Sequence, residues 1–471
     1  AGKTVWDESK ELNSKDIFDQ LKNNPRQSLP VVKGVAKESL VQSFRLPENS
    51  SKTISASYQR PYHMHGSIGP SAAIALYDAQ VLKVWTHSQG VFPLRLALAD
   101  VLALAEDKIR VVHVPGAGCY GHNGADDVAL DAALTARAVP GRPIMLKWER
   151  ADEHAWEPFG SAMQMELKAS LDDKGHVIFW NHETYSDTHM SRPSVHRENS
   201  RLLAAWHLQT PRPAPPVKPS LGYHTGIHRN ADPIYDFPDR RVVKHLVQDL
   251  PLRVSALRSL GAYANVFAIE SFMDELAHAI GTDPLEFRLA HLSDKRARAV
   301  LEAATTKANM GFISNDDRQG RGIAVSRYKN SKCYAAVVID LIVDDYGAIQ
   351  LVQAVIAADA GQIVDPDGLR NQLEGGLIQS ASWTLKEQVN FDEKGIVSLD
   401  WESYPILTFA EVPKIETILI DHQDCPFLGS GEATQGPTAA AIGNAIFDSV
   451  GLRLRRIPFT QERVRDAAAK V

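Results

Sequence analysis

Apolar positions along this chain fall into two textures. Up to about residue 310, short runs such as AAIALYD (Ala72–Asp78) and QVLKVWT (Gln80–Thr86) have the composition and length of strands. They alternate with PLRLALADVLAL (Pro93–Leu104) and DDVALDAALTARAV (Asp126–Val139), whose apolar residues recur at helical spacing. NVFAIESFMDELAHAIG (Asn265–Gly281) predicts a longer helix, and a charged one follows from Ser293 to Met310. After Gly311 the pattern changes to YAAVVIDLIVDDYGAIQLVQAVIAAD (Tyr334–Asp359), two long apolar strands with a hairpin turn at DDYG. Residues 1 to about 57 are polar and mixed, with a helical pattern around Asp16–Leu21 and no core of their own, so they are expected to be the end of an upstream domain or a linker. LQTPRPAPPVKP (Leu208–Pro219) is expected to be an extended surface loop. The class is α+β with mixed α/β patterning, divided into one domain over 58–310 and a second over 311–471.

Composition removes several functions from consideration. A chain of 471 residues with 44% hydrophobic residues can bury two or more cores. The net charge is -6 and the Lys and Arg residues are scattered, so nothing points to nucleic acid, and a small molecule or another protein is the expected partner. Cys119, Cys333 and Cys425 are too few and too dispersed for a disulfide framework, a zinc site or an iron–sulfur cluster. A redox centre held here must bring its own ligands. No apolar run is long enough to span a bilayer, and the opening AGKTVWDESKELNSKD has neither the basic region nor the apolar core of a signal peptide, so no targeting information is expected in it.

One carboxylate stands out by its surroundings. In GSGEATQGPTAAAIGNAIFD (Gly429–Asp448), Glu432 lies in a loop of small residues ahead of an alanine-rich helix, with Pro437 suited to the helix's first turn. The loop lets a ligand approach the main chain, and the positive end of the helix points back at it. On these residues alone Glu432 could be a general base, a capping residue or a solvated surface group.

Five segments in consistent order carry a resemblance: PYHMHGSIGPSAAIA with VWTHSQG, GAGCYGHNGADD, ALRSLGAYANVFAIESFMDELAHAIGTDPLEFRLAHL, DAGQIVDPDGLRNQLEGGLIQSASWTLKE, and the Gly429 segment continued to Thr460. Together they resemble the large molybdopterin-binding subunit of the molybdenum hydroxylases in the xanthine oxidase superfamily, in the branch of isoquinoline oxidoreductases and nicotinate dehydrogenases. The resemblance covers most of the chain. It implies two mixed α/β molybdopterin-binding domains and oxidative hydroxylation of an electron-poor carbon with oxygen from water. It also implies that Glu432, after Gly431, is the base that removes a proton from the molybdenum-activated water.

Gln89 matches a glutamine that hydrogen-bonds an oxygen ligand of molybdenum; apart from the resemblance it reads as a strand-end residue satisfied by backbone. Gly118, Cys119, Tyr120 and Gly121 match a glycine-rich loop that brings backbone amides to the metal's oxo group, with Cys119 and Tyr120 departing from the common glycine and phenylalanine. Asp126 and Asp127 read as caps of the following helix. Arg258 matches an arginine near the pterin that can pair with phosphate or carboxylate. Ser259 replaces the copper-ligating cysteine of carbon-monoxide-oxidising members, and Gly124 stands about where purine-recognising glutamates occur. Glu374, with Gly375 and Gly376, reads equally as part of a cofactor-approaching helix start or as a structural carboxylate.

Further implications concern what lies beyond the chain. The pterin dithiolene holds the metal, so no protein ligand is expected, and bacterial members carry molybdopterin cytosine dinucleotide. Electrons are expected to pass to 2Fe-2S clusters on a partner subunit, with a c-type cytochrome as acceptor. A glutamine- and glycine-rich cofactor-binding segment of the family has no counterpart here, so another polypeptide is expected to carry it. An N-heteroaromatic such as nicotinate is the expected substrate, an aldehyde substrate or a non-catalytic scaffold subunit the alternatives, and a bacterial periplasm or cytoplasm the compartment.

Overall fold

The computed structural model describes residues 12–193, 201–309 and 318–470. The expected change of texture at Gly311, the end of the charged helix at Met310 and the residue-310 boundary itself lie outside them, as do the first 11 residues of the opening stretch.

The largest sheet has six strands in the order Val35–Ala36, Arg26–Val32, Arg240–Val247, Val177–Ser186, Met163–Leu171 and Lys52–Arg60. All neighbours are antiparallel except Val177–Ser186 with Arg240–Val247. The described part of the opening stretch is built into this unit. Asp16 caps the helix Ile17–Asn23 by accepting from Phe18 N–H at 2.8 Å, and Ile17, Phe18 and Leu21 are buried against Tyr62, Met64 and Phe159. These five longer strands are not apparent in the apolar pattern. Polar residues such as Gln164 and Glu166 interrupt it, and their partners, Ser57 on the neighbouring strand and Lys22 on the helix Ile17–Asn23, belong to distant parts of the chain.

A four-stranded sheet, ordered Ile109–His113, Val81–Thr86, Ala72–Asp78 and Ile144–Lys147, holds the two expected strands. The helices Val91–Leu102 and Ala125–Ala138 pack on it around a separate core of Val84, Leu98, Val128 and Ala132. Leu208–Pro219 runs without regular structure, as its prolines require.

The third sheet orders Gln319–Arg327, Tyr334–Val343, Ile349–Asp359 and Lys414–Ile420. Asp344 in the DDYG turn accepts from Tyr346 N–H and Ala348 N–H at 2.9 and 2.8 Å, closing the expected hairpin. Both faces are covered, which is why the central strand is apolar throughout. Gly322 meets the helix Gln435–Val450, where an added Cβ would lie 2.0 Å from Ala441 O. Arg321, on the opposite face, donates to Asn309 and Ala308 at the end of the helix Lys295–Asn309. The parallel pairing of Ile349–Asp359 with Lys414–Ile420 needs a crossover, which the helix Pro366–Leu385 supplies.

The helix Gly261–Ala279 joins this sheet to the six-stranded one. Its Phe267 stacks edge-on against Tyr58 at 5.4 Å on one side, while Val266 touches Gly436 closely enough that an added Cβ would sit 2.5 Å away. One hydrophobic core therefore runs from Met165 through Phe267 to Val337 and Ile442. The site loops lie at the ends of these packed helices.

Candidate active site

Glu432 is held from two sides. Its Oε1 accepts from Ser259 N–H at 2.7 Å, and its Oε2 accepts from the Tyr328 hydroxyl. Arg229 Nη1 lies 3.9 Å from Oε2 and donates to the same hydroxyl at 2.6 Å. Because the Tyr328 oxygen accepts from Arg229, its proton is directed to Glu432. Burial, then the charge of Glu432, pushes the Tyr328 phenol far up, so it stays a donor at all working pH. Two donors fix the carboxylate's orientation, which is what a positioned base needs. The side chain is 33% exposed, so the pocket formed by this chain alone is not the dry one a catalytic carboxylate is expected to occupy.

Backbone strain supports this placement. Ser259 and Leu260 have φ of 69° and 51°, just ahead of the helix Gly261–Ala279, and this turn aims the Ser259 amide at Glu432. Gln435 adds a further tie: with its amide oriented to suit both neighbours, it donates to Glu432 O at 3.1 Å and accepts from Arg258 Nε at 2.7 Å.

The other expected residues converge on the same place in a chain of contacts. Gln89 Nε2 lies 3.5 Å from Cys119 Sγ, its only hydrogen-bond partner among the described residues, so it is not satisfied by backbone at the strand end. It is exposed, and the loop beneath it is anchored by Ser88, which donates to Asp126 and accepts from Gly90 N–H. The loop Gly118–His122 pairs with Ala256–Arg258: Arg258 N–H donates to Tyr120 O at 2.7 Å and His122 N–H to Ala256 O at 2.9 Å. Gly118, Tyr120 and Gly121 all have positive φ.

Arg258 then reaches Gly431 O through Nε at 2.7 Å, Gln379 Oε1 through Nη1 at 3.2 Å and Gln372 O through Nη2 at 3.1 Å. Its guanidinium is thus occupied by protein oxygens, which makes it a clamp between the Glu432 loop and the helix Pro366–Leu385. Burial lowers its pKa and Glu432 works against that shift.

One expectation changes, and one of two open readings is favoured. Asp126 and Asp127 do not cap the helix Ala125–Ala138: its first turn follows Gly124, and the two buried carboxylates reach other elements. Asp126 pairs with His122 Nδ1 at 3.0 Å, while Asp127 takes Arg253 Nη2 at 2.8 Å and Leu203 N–H at 2.8 Å. Glu374 sits inside the helix Pro366–Leu385, not at its start, and accepts from Thr417 Oγ1 at 2.8 Å, which is a structural role. Neighbouring Gly375 instead lines a cleft of about 390 Å³ with Tyr120, Arg258, Gln372, Gln379 and His65. Glu387 also lines that cleft, and burial pushes its carboxyl up to about 7.

Sequence reasoning missed Tyr328 and Arg229. Both precede short polar stretches with no motif, and only the fold brings them 99 positions across the chain into contact. Tyr328→Phe removes the proton donated to Glu432 and the acceptor of Arg229. We expect kcat to fall about tenfold with KM and melting temperature near the parent's, checked by steady-state kinetics and thermal unfolding. An unchanged kcat would leave Tyr328 a packing residue only.

Comparison with known proteins shows the family of the chain. A family model described as the molybdopterin cofactor-binding domain matches residues 42–207 and 216–292, and a second model of that description matches 267–413. The chain belongs to the molybdopterin cofactor-binding family. It is 39% identical over 467 residues to one of the subunits of nicotinate dehydrogenase from Pseudomonas putida, covering 96% of this chain and 37% of that protein. It is 26% identical over 406 residues to the beta subunit of isoquinoline 1-oxidoreductase from Brevundimonas diminuta, covering 85% and 48%. The chain thus spans about half or less of the length of these relatives. Its fold matches that of quinoline 2-oxidoreductase from Pseudomonas putida 86 with a TM-score of 0.76, over 89% of this chain and 77% of that one at 14% identity.

The residues present fit molybdopterin. The amides of Gly118, Cys119 and Tyr120 and of Gly431 and Glu432 have no hydrogen-bond acceptor among the described residues, and they flank the cleft lined by Tyr120 and Arg258. The helix Gln435–Val450 directs its N-terminus at the same loop. Such a donor set suits an oxygen-rich group. Among the described residues no group of three or more His, Cys, Asp or Glu could hold a metal by itself.

Proposed function

We propose that this molybdopterin-binding chain contributes the reaction site of a bacterial molybdenum hydroxylase that oxidises an N-heteroaromatic such as nicotinate. The observation that carries the reading is the fixed carboxylate of Glu432, held by Ser259 N–H and Tyr328 beside a cleft bordered by unpaired amides. The similarity to the nicotinate dehydrogenase of Pseudomonas putida supports the substrate class. The cofactor supplies, when bound, a redox centre that takes two electrons from the substrate. Glu432 takes the proton, while Arg229 and Tyr328 keep its carboxylate oriented. Arg258 holds the base loop against the helix Pro366–Leu385, and Gln89, beside Cys119, offers a further donor together with the Gly118–Gly121 loop.

The cytosine dinucleotide form of the cofactor, a 2Fe-2S partner protein, a second polypeptide carrying the remaining cofactor-binding segment and a c-type cytochrome acceptor complete the proposal. That the relatives are themselves subunits supports the need for partners. The bacterial compartment, periplasm or cytoplasm, follows the location of that acceptor.

The test is expression with the partner proteins in a host that makes the cofactor, assay with nicotinate, isoquinoline and benzaldehyde, and mass spectrometry of the extracted cofactor. Turnover confined to benzaldehyde would replace the heteroaromatic reading with an aldehyde one, and absence of molybdenum would leave a scaffold. In the same assay Gln89→Ala is expected to lower turnover about tenfold, less than loss of Glu432, because an exposed amide whose one hydrogen-bond partner among the described residues is Cys119 can be removed without disturbing the fold. A Gln89→Ala enzyme as active as its parent would remove Gln89 from the site.

A further inference from the structure

The side of Glu432 turned away from Arg258 is cationic. Arg229, only 8% exposed, uses Nε on His224 O at 3.2 Å and Nη1 on Tyr328, but Nη2 donates to nothing among the described residues. Lys329 follows Tyr328 with φ of 52°, and its backbone N–H donates to Asn230 Oδ1 at 2.8 Å, so its turn is tied to the residue after Arg229. The half-buried Lys329 ammonium has no hydrogen bond or ion pair among the described residues. Burial first, then the charge of Arg229, lowers its pKa, while Glu432 opposes the shift. Nearby Asp232 is paired with Arg240 at 3.3 Å and does not neutralise the pair. Arg229, 3.9 Å from the carboxylate, and Lys329, next in the chain to Tyr328 and within electrostatic reach of Glu432, therefore bring two cations to one carboxylate that is already engaged by Tyr328 and Ser259.

A neutral ring placed against Glu432 leaves this excess positive charge uncompensated. An anion offsets it, and the cations in turn offset the repulsion between that anion and Glu432. We propose that Arg229 Nη2 and Lys329 Nζ form the seat of the substrate's carboxylate, so that the chain is selective for an aromatic acid presented with its ring toward Glu432. The inference rests on the reading of Glu432 as the base of a heteroaromatic hydroxylase.

Benzoate and benzamide have nearly the same shape and differ in charge, so they isolate this seat. Titration calorimetry on the assembled holoenzyme is expected to show benzoate binding about tenfold tighter than benzamide. Lys329→Gln should lose most of that preference while leaving benzamide binding and the kcat for neutral isoquinoline near the parent's. Equal binding of the two ligands by the parent enzyme, or equal weakening of both by Lys329→Gln, would overturn the anion seat even if nicotinate is hydroxylated. A benzoate preference lost in Lys329→Gln, without hydroxylation of any heteroaromatic, would uphold the seat and overturn the hydroxylase reading.

Discussion

Glu432→Gln is expected to lower turnover by about a thousandfold while molybdenum stays bound, because it removes the carboxylate held between Ser259 N–H and Tyr328 and little else. Glutamine keeps an oxygen for Ser259 N–H, now 2.7 Å from Oε1, and its amide can donate to the Tyr328 oxygen, so the loop between Gly429 and Gln435 keeps its shape. Metal analysis and thermal unfolding should therefore match the parent while single-turnover rates collapse. Activity within about tenfold of the parent would show that another group takes the proton.

Gly121→Ala is expected to have the next largest effect, through the backbone. Gly121 has φ of 134°, and an added Cβ would lie 1.8 Å from Ala256 O, the acceptor of both His122 N–H and His65 Nε2. No side-chain adjustment relieves a clash with a carbonyl, so the pairing of the Gly118–His122 loop with Ala256–Arg258 must open. We expect a stability loss of about 3 kcal/mol and a marked drop in bound molybdenum, measured by thermal unfolding and metal content. Gly118→Ala, where the added Cβ meets the Tyr120 ring at 2.8 Å, should be milder because a ring can swing aside. A Gly121→Ala protein with the parent's stability and molybdenum content would show that this loop does not shape the site.

The chain's local sequence determined those features whose physics is local. The DDYG hairpin, the helices at Ala125–Ala138 and Gln435–Val450 and the twice-covered strands after Gln319 follow from turn residues and apolar runs a few positions long. Glu432, Gln89, Arg258 and the Gly118–Gly121 loop were singled out by the family resemblance; the residues alone left Glu432 open between a base, a cap and a surface group. The tertiary structure decided which partners those residues meet. The six-stranded sheet escaped the apolar pattern because most of its strands meet partners from distant parts of the chain, as Leu29 does Lys244 and Ile54 does Ala169. Asp126, Asp127 and Glu374 have roles set by groups on other elements, Ser88, Arg253 and Thr417, which proximity in sequence does not reveal. The same holds for Glu432, the proposed base. A glycine-rich loop marks Glu432 as accessible, but its orientation depends on Ser259, Tyr328 and Arg229, which lie 173, 104 and 203 positions away and meet it only when the helix Gly261–Ala279 packs between the two sheets.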